Sequence, residues 1–300
     1  MSQQSTRLRL AVLFATTGLL AAASSLPPSD TLASARQLIA ASRLPEAREP
    51  LAAALAISPD NLELRVLLAE VLGRLHRRDE AIDLLKAALE TRPEDASLLG
   101  AYGGQLLLRA DELGSGLRAL LLARRGRAAM EHAVTLAPRS ISLREGLIQF
   151  YRKAPALAGG DREKARAHAA ALAAIDPVRG AVWGASMLID DERYPEALAA
   201  CDTALAARPD DYVALFLLGR TVSESGLRLA DGETALRRCL TLAPQPSEPS
   251  HADVNYRLGL IAEKRGDHPA ARAAYNLALA ESPTFTPAAE ALQRVSGKSR

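Results

Sequence analysis

Between Leu62 and Asp95 the chain reads LELRVLLAEVLGRLHRRDEAIDLLKAALETRPED, two short amphipathic helical stretches closed by a proline-containing turn. The same skeleton recurs on both sides of it. Prolines fall at Pro59, Pro93, Pro138, Pro177, Pro209, Pro244 and Pro283, spaced 34, 45, 39, 32, 35 and 39 residues apart, each after an Ala/Leu-rich stretch. Units of this length cannot share one central core. Each buries its apolar stripe against the next, which forces a stack of helix pairs. The proline ends the second helix of a pair and sets the turn into the following one.

Composition agrees with an all-α chain. Hydrophobic residues make up 48% but aromatics only 4%, and the apolar content is mostly Ala and Leu. Both lose little side-chain freedom in a helix, whereas a β-rich chain draws on branched and aromatic residues.

Within the reference unit the recurring places are held by Arg65, Leu68, Ala69, Leu72, Ala81, Leu85, Ala88 and Pro93. The unit ending at Pro283 repeats them as Asn255, Leu258, Gly259, Ala262, Ala271, Tyr275 and Ala278. The unit ending at Pro59 supplies Ala35, Leu38, Ala47, Leu51 and Ala54, and that ending at Pro209 supplies Ala185, Leu188, Ala197, Cys201 and Ala204. Small residues let two helices approach closely while large ones fill the groove between pairs. This pattern resembles the tetratricopeptide repeat. The resemblance covers residues 28–285 and implies a right-handed helical-repeat solenoid of about seven helix pairs. Expected units are 28–61, 62–95, 96–140, 141–179, 180–211, 212–250 and 251–285, with a capping helix over 287–295 and a tail over 296–300.

Three units depart from the spacing. The unit ending at Pro138 keeps Tyr102-Gly103, Gly126, Met130 and Ala133 but has about eleven extra residues between its helices, and the next keeps Gly146, Ala165 and Ala169 with about seven extra in APALAGG, Ala154 to Gly160. The unit ending at Pro244 keeps Leu218-Gly219, Gly232, Leu236 and Cys239 with about one extra. All three additions fall between the first helix (A) and the second (B), so they line one edge of the stack.

Arg7 and Arg9 precede an apolar run of 14 residues, Leu10 to Ala23. Its length fits the core of a secretory signal, about 7–15 residues, and falls short of the roughly 20 of a membrane-spanning helix. Ala21 and Ala23 are small residues placed for cleavage before Ser24, so residues 1–23 read as a signal and 24–30 as a linker. The alternative is an uncleaved N-terminal anchor to the inner membrane. Together with the Ala/Arg-rich composition, this points to an exported or periplasmic bacterial protein. Without Arg7 and Arg9 the chain carries 35 basic and 35 acidic residues. Such a balanced chain lacks the electrostatic footprint of a nucleic-acid binder.

Catalytic and metal patterns are absent from the sequence. His76, His132, His168, His251 and His268 lie in five different units without metal-ligand spacing, and read as solvated helix residues. Gly159-Gly160 follows no strand and lacks the Lys-Ser/Thr of a phosphate loop. Asp190-Asp191-Glu192 reads as a solvated acidic turn, and there is no Gly-x-Ser-x-Gly elbow. No cofactor is expected. Cys201 and Cys239 fall on packing places of successive B helices, which favours buried thiols. A disulfide between them stays within geometric reach.

The resemblance implies that A helices line a concave face, through the second, fifth, ninth, twelfth and thirteenth places of each unit. The outer units put Glu63, Glu70, Arg74, Asp253, Glu263 and Lys264 there. The middle units put Leu107, Leu143, Leu147, Phe150, Tyr151, Val182, Ile189 and Phe216 there, with Trp183 adjacent. A central apolar patch between charged ends suits an extended peptide or an apolar ligand, although packing alone also accounts for such residues. The Lys/Asn carboxylate clamp of chaperone-binding members is missing, since none of Asn61, Asn255 and Asn276 occupies an inward place of a middle unit. The expectation is a non-enzymatic scaffold in the cell envelope that docks a protein or peptide partner. The alternative is a periplasmic carrier of a small apolar ligand associated with a solute transporter.

Overall fold

The computed structural model describes residues 28–245 and 248–297. The expected signal and its cleavage point lie outside the described residues. Among the described residues there are fifteen α-helices and no strand. They pair as α1 (Pro28–Ala40) with α2 (Leu44–Ile57), α3 (Leu62–Arg74) with α4 (Arg78–Thr91), and α5 (Ala96–Leu113) with α6 (Leu117–Leu136). Then come α7 (Ile141–Lys153) with α8 (Arg162–Ala173), and α9 (Pro177–Asp190) with α10 (Tyr194–Ala207). The last pairs are α11 (Tyr212–Ser225) with α12 (Leu229–Cys239), and α13 (His251–Lys264) with α14 (His268–Glu281), closed by α15 (Thr286–Gly297). The result is an all-α helical-repeat solenoid.

Helix starts follow from local chemistry. The A helices α3, α5, α7, α9, α11 and α13 open on Asn61, Asp95, Ser140, Asp176, Asp211 and Ser250, whose side chains accept backbone N–H bonds in the first turn. Several B helices open instead on an arginine that reaches a glutamate three residues on, as in Arg77–Glu80 and Arg193–Glu196. The short A-to-B turns force one residue into the left-handed region. Ser42, His76 and Glu192 adopt it at φ near 60°, where Gly266 does so without a Cβ penalty.

The prolines act as expected at Pro59, Pro93, Pro138, Pro209 and Pro283, since the preceding helices end two residues earlier. Pro177 is different: it is the first residue of α9, where its missing N–H costs nothing. The expected boundary at 179/180 therefore falls inside a helix. Pro244 stands five residues beyond the end of α12.

Small residues set the distance between paired helices. A Cβ on Gly219 would lie 2.2 Å from Leu236, and one on Gly259 2.2 Å from Tyr275. In the third pair the backbones themselves meet: a Cβ on Gly103 would lie 2.7 Å from the Gly126 carbonyl oxygen, and one on Gly126 2.8 Å from that of Gly103. Ala47, Ala81, Ala197 and Ala271 are fully buried at the equivalent contacts of other pairs.

The eleven extra residues of this third pair form helix rather than an inserted loop. α5 has 18 residues and α6 has 20, against 13 and 14 in the reference pair, joined through Gly114–Gly116. By contrast, the extra residues of the fourth unit form a loop with a 3-10 turn at Ala156–Ala158. That turn packs against α6, with Gly159 beside the Arg127 guanidinium.

Candidate functional site

α7 sets the geometry of the A-helix face. Its N-cap is Ser140, and counting from there places Leu147, Ile148 and Tyr151 in the core. In the repeat pattern Gly146 holds the small place that faces the partner helix of its own pair. A Cβ there would instead meet the Met130 side chain of the preceding B helix, 2.4 Å away. The inward register is thus two residues off, and along it exposed Ser142 and Gln149 alternate with half-buried Glu145 and Arg152.

This changes the apolar patch. Leu147, Tyr151, Ile189 and Phe216 are buried members of the hydrophobic cores and offer a partner no surface. Leu107, Leu143, Phe150 and Trp183 are partly buried and pack against the core around Met130 and Leu147, while Val182 packs against the neighbouring cores. Leu143 also fills the space above Gly100 of α5. The face of α7 at this register is polar.

Charged side chains knit that face together. Arg179 Nη1 donates to Glu145 Oε1 at 2.8 Å, and the Trp183 indole donates to the same oxygen at 3.1 Å. Arg152 meets Asp190 at 2.8 Å, and Asp190 meets Arg220 at 3.4 Å. Arg220 meets Glu224 at 3.0 Å, and Glu224 meets Arg257 at 3.0 Å. The chain of alternating charge thus runs α7–α9–α11–α13. Glu145 beside Arg179 raises the arginine's pKa further. Burial lowers that of Arg257, against the pull of Glu224.

No Cα pair of α7 and α9 lies within 8 Å, whereas α1–α3, α3–α5, α5–α7, α9–α11 and α11–α13 all approach that closely. Here the A helices stand further apart, and long charged side chains span the gap. Glu145, Arg152, Arg179, Trp183 and Asp190 bridge the seam, and the Arg152 guanidinium sits 5.9 Å from the Trp183 ring centre. Asp191, next in the chain, binds Arg162 at 2.5 Å and Arg166 at 2.6 Å. The acidic turn expected to be solvated is therefore paired, because three arginines of α7 and α8 converge on it. A small indentation lined by Arg152, Arg162, Arg166, Met187, Asp190 and Asp191 marks the place.

Two histidines also differ from their expected solvated state. The His168 ring stacks on Tyr151 at 5.7 Å, and burial, with Arg144 nearby, lowers its pKa. His251 Nε2 lies 2.8 Å from the Leu242 carbonyl oxygen. Cys201 and Cys239 are buried free thiols, Cys239 donating to the Tyr212 carbonyl at 3.6 Å, and burial pushes both up to about 12. Among the described residues no group of three or more His, Cys, Asp or Glu side chains could hold a metal.

The sequence pattern does not single out Glu145, Arg152, Arg220, Glu224 or Arg257, and it places Asp190 only in a solvated turn. Counting α7 from Ser140 rather than from Gly146 finds the first two.

Profiles described as tetratricopeptide repeat match residues 38–104 and 225–284. No curated protein matches the chain. Among solved structures, a tetratricopeptide repeat protein from Parabacteroides merdae superposes with TM-score 0.58 at 16% identity, over 89% of this chain and 98% of that one. A thermophilic TPR protein from Thermus thermophilus does so with 0.55 at 22% identity, over 66% and 99%. A chain of the APC/C hetero-tetramer Cut9–Hcn1 gives 0.63 at 17% identity over 90% of this chain, which spans about half (49%) of its length. At these identities the likeness is one of fold.

Proposed function

The chain is a tetratricopeptide-repeat protein, and from that premise we propose that it serves as a non-enzymatic scaffold in the bacterial cell envelope, docking a partner protein or peptide on its A-helix face. The repeat is in general a non-catalytic protein–protein interaction module, and fold alone names no partner. The observation that carries the reading is the seam between α7 and α9. It is held by side chains that can exchange partners, and it presents the chain's single tryptophan beside a row of charges.

An extended peptide suits such a surface. Its own carboxylates and amines can replace Glu145, Arg152 or Asp190 in half-buried charge-assisted bonds, and its apolar side chains can lie on Trp183. Export rests on the Arg7/Arg9 and Leu10–Ala23 pattern. The apolar residues that an apolar-ligand carrier would need belong to the core or pack against it, so the peptide reading is favoured.

Fractionation of the native host with N-terminal sequencing tests location. Recovery in the periplasmic fraction beginning at Ser24 supports export, and recovery in the cytoplasm overturns it. Crosslinking in the intact envelope, followed by identification of adducts, tests docking. A discrete envelope-protein adduct supports the scaffold, and adducts with cytoplasmic proteins alone sink the envelope assignment.

A further inference from the structure

The α5–α6 hairpin outgrows its neighbours on one side. Its crossing point at Gly103 and Gly126 matches those of the other pairs, so the additional residues all lie between that crossing and the turn. At 1.5 Å per residue, five or six extra residues in each helix carry the tip about 8 Å beyond the edge of the stack. The 3-10 turn of the next unit packs alongside.

The exposed surface of this tip is leucine and arginine. Leu117 is 71% exposed, Leu121 51%, and Leu157 on the adjoining turn 73%. Leu117 and Leu121 are one helical turn apart and share a face with Arg118, Arg124 and Arg125, all exposed. Residues 113–130 contain four arginines and no acid. Among the described residues Arg118 and Arg124 form no ion pair, although elsewhere on this molecule arginines are widely paired. On the facing helix Glu112 is committed to Arg78 and Arg109, and exposed Asp111 forms no ion pair with the arginines of α6. The surface is thus unbalanced in charge, apolar at its summit and convex.

We propose that this tip is a membrane-docking element that seats on an anionic lipid surface. Leu117, Leu121 and Leu157 would enter the boundary between headgroups and acyl chains, with Arg118 and Arg124 reaching the phosphates around them, while Arg125 is held by the Tyr102 hydroxyl at 2.8 Å. This is the division of labour of interfacial amphipathic helices. A folded protein partner would need a ready groove for each of these projecting side chains, whereas a bilayer closes around a convex tip. No helix among the described residues is long and apolar enough to cross a membrane, so the contact is a surface one. Docking by this edge leaves the A-helix face free.

The test is co-sedimentation of the full-length chain with vesicles of phosphatidylcholine alone and of phosphatidylcholine with phosphatidylglycerol. Both double variants, Leu117→Ser with Leu121→Ser and Arg118→Gln with Arg124→Gln, change exposed residues only, and circular dichroism checks that each remains folded. Binding to the anionic vesicles should weaken on the order of thirtyfold in the arginine variant, about fivefold per charge. It should weaken on the order of tenfold in the leucine variant. Equal binding by wild type and both variants, as when the N-terminal apolar run alone holds the vesicle, overturns the proposal. So does tighter binding to an acidic peptide or an oligonucleotide than to anionic vesicles.

Discussion

Gly103 and Gly104 are adjacent in α5, yet replacing each with alanine should move stability in opposite directions. Both variants gain about 1 kcal/mol of helix propensity, because alanine loses less backbone freedom than glycine. At Gly104 nothing lies within 4 Å of the new Cβ, so the gain stands and Gly104→Ala should stabilise the protein by about 1 kcal/mol. At Gly103 the new Cβ would lie 2.6 Å from Met130 Cγ, 2.7 Å from the Gly126 carbonyl oxygen and 3.1 Å from the Met130 amide. The methionine can turn aside, but two backbone groups cannot, so the helices must part. Overpacking of this kind costs about 1–3 kcal/mol. Net of propensity, Gly103→Ala should be destabilising by up to about 2 kcal/mol, a separation of about 1–3 kcal/mol between the neighbours. Urea unfolding followed at 222 nm reads the difference as a shift in midpoint. Hydrogen exchange across α5 and α6 localises it, as expected where each repeat leans only on its neighbours. If Gly103→Ala stabilises as much as Gly104→Ala, the backbone contact that defines this pair is not there.

Other consequences are equally accessible. Asp190→Ala leaves the half-buried guanidinium of Arg152 without its carboxylate and Arg220 with Glu224 alone, and should cost about 1 kcal/mol, a loss that shrinks in 1 M salt; an unchanged melting curve at low salt argues against the charge ladder. Asp176 is pushed upward by burial, but the bond from Arg208 and the N–H bonds of Arg179 and Val178 outweigh this and leave its pKa below the ordinary value of 3.8. Its contribution is therefore fully present above the unfolded-state value and is lost as pH falls through the lower folded-state value; acid titration of Asp176→Asn should lack that component. Cys201 and Cys239 should resist a thiol reagent at pH 8 until urea is added and then react as two thiols, whereas a mass showing a disulfide would contradict their burial as free thiols. His76→Gly relieves a left-handed backbone at φ 61° and should stabilise by about 0.5–1 kcal/mol after the entropic cost of glycine, read as a rise in Tm.

The helical repeat itself is legible in the sequence because its determinants are local. Ala81, Gly219 and Gly259 must be small, the caps Asn61, Asp95 and Ser140 must accept N–H bonds, and Pro59 and Pro93 must follow helix ends. Where two local signals conflict, the repeat pattern alone points to the wrong register. Gly146 fits the small place of the repeat, but Ser140 caps α7, and counting from that cap moves Leu147 and Tyr151 from the inward face into the core. Pro177 looked like a terminator and is an initiator. The seam between α7 and α9 was invisible for a different reason. It depends on the separation of two helices that are not consecutive in the chain, and on long side chains that meet across thirty or more residues of sequence. The length of α5 and α6 was equally hidden, since a count of extra residues does not say whether they are coiled or helical.

The central claim is that a partner meets the polar A-helix face at this seam. A photo-crosslinking amino acid placed at Gln149, exposed on α7 beside the seam, tests it in the native envelope against the same group at Lys86, exposed on the B helix α4. The account predicts a discrete protein adduct from position 149 and none from position 86. An adduct from position 86 with none from position 149 would contradict it.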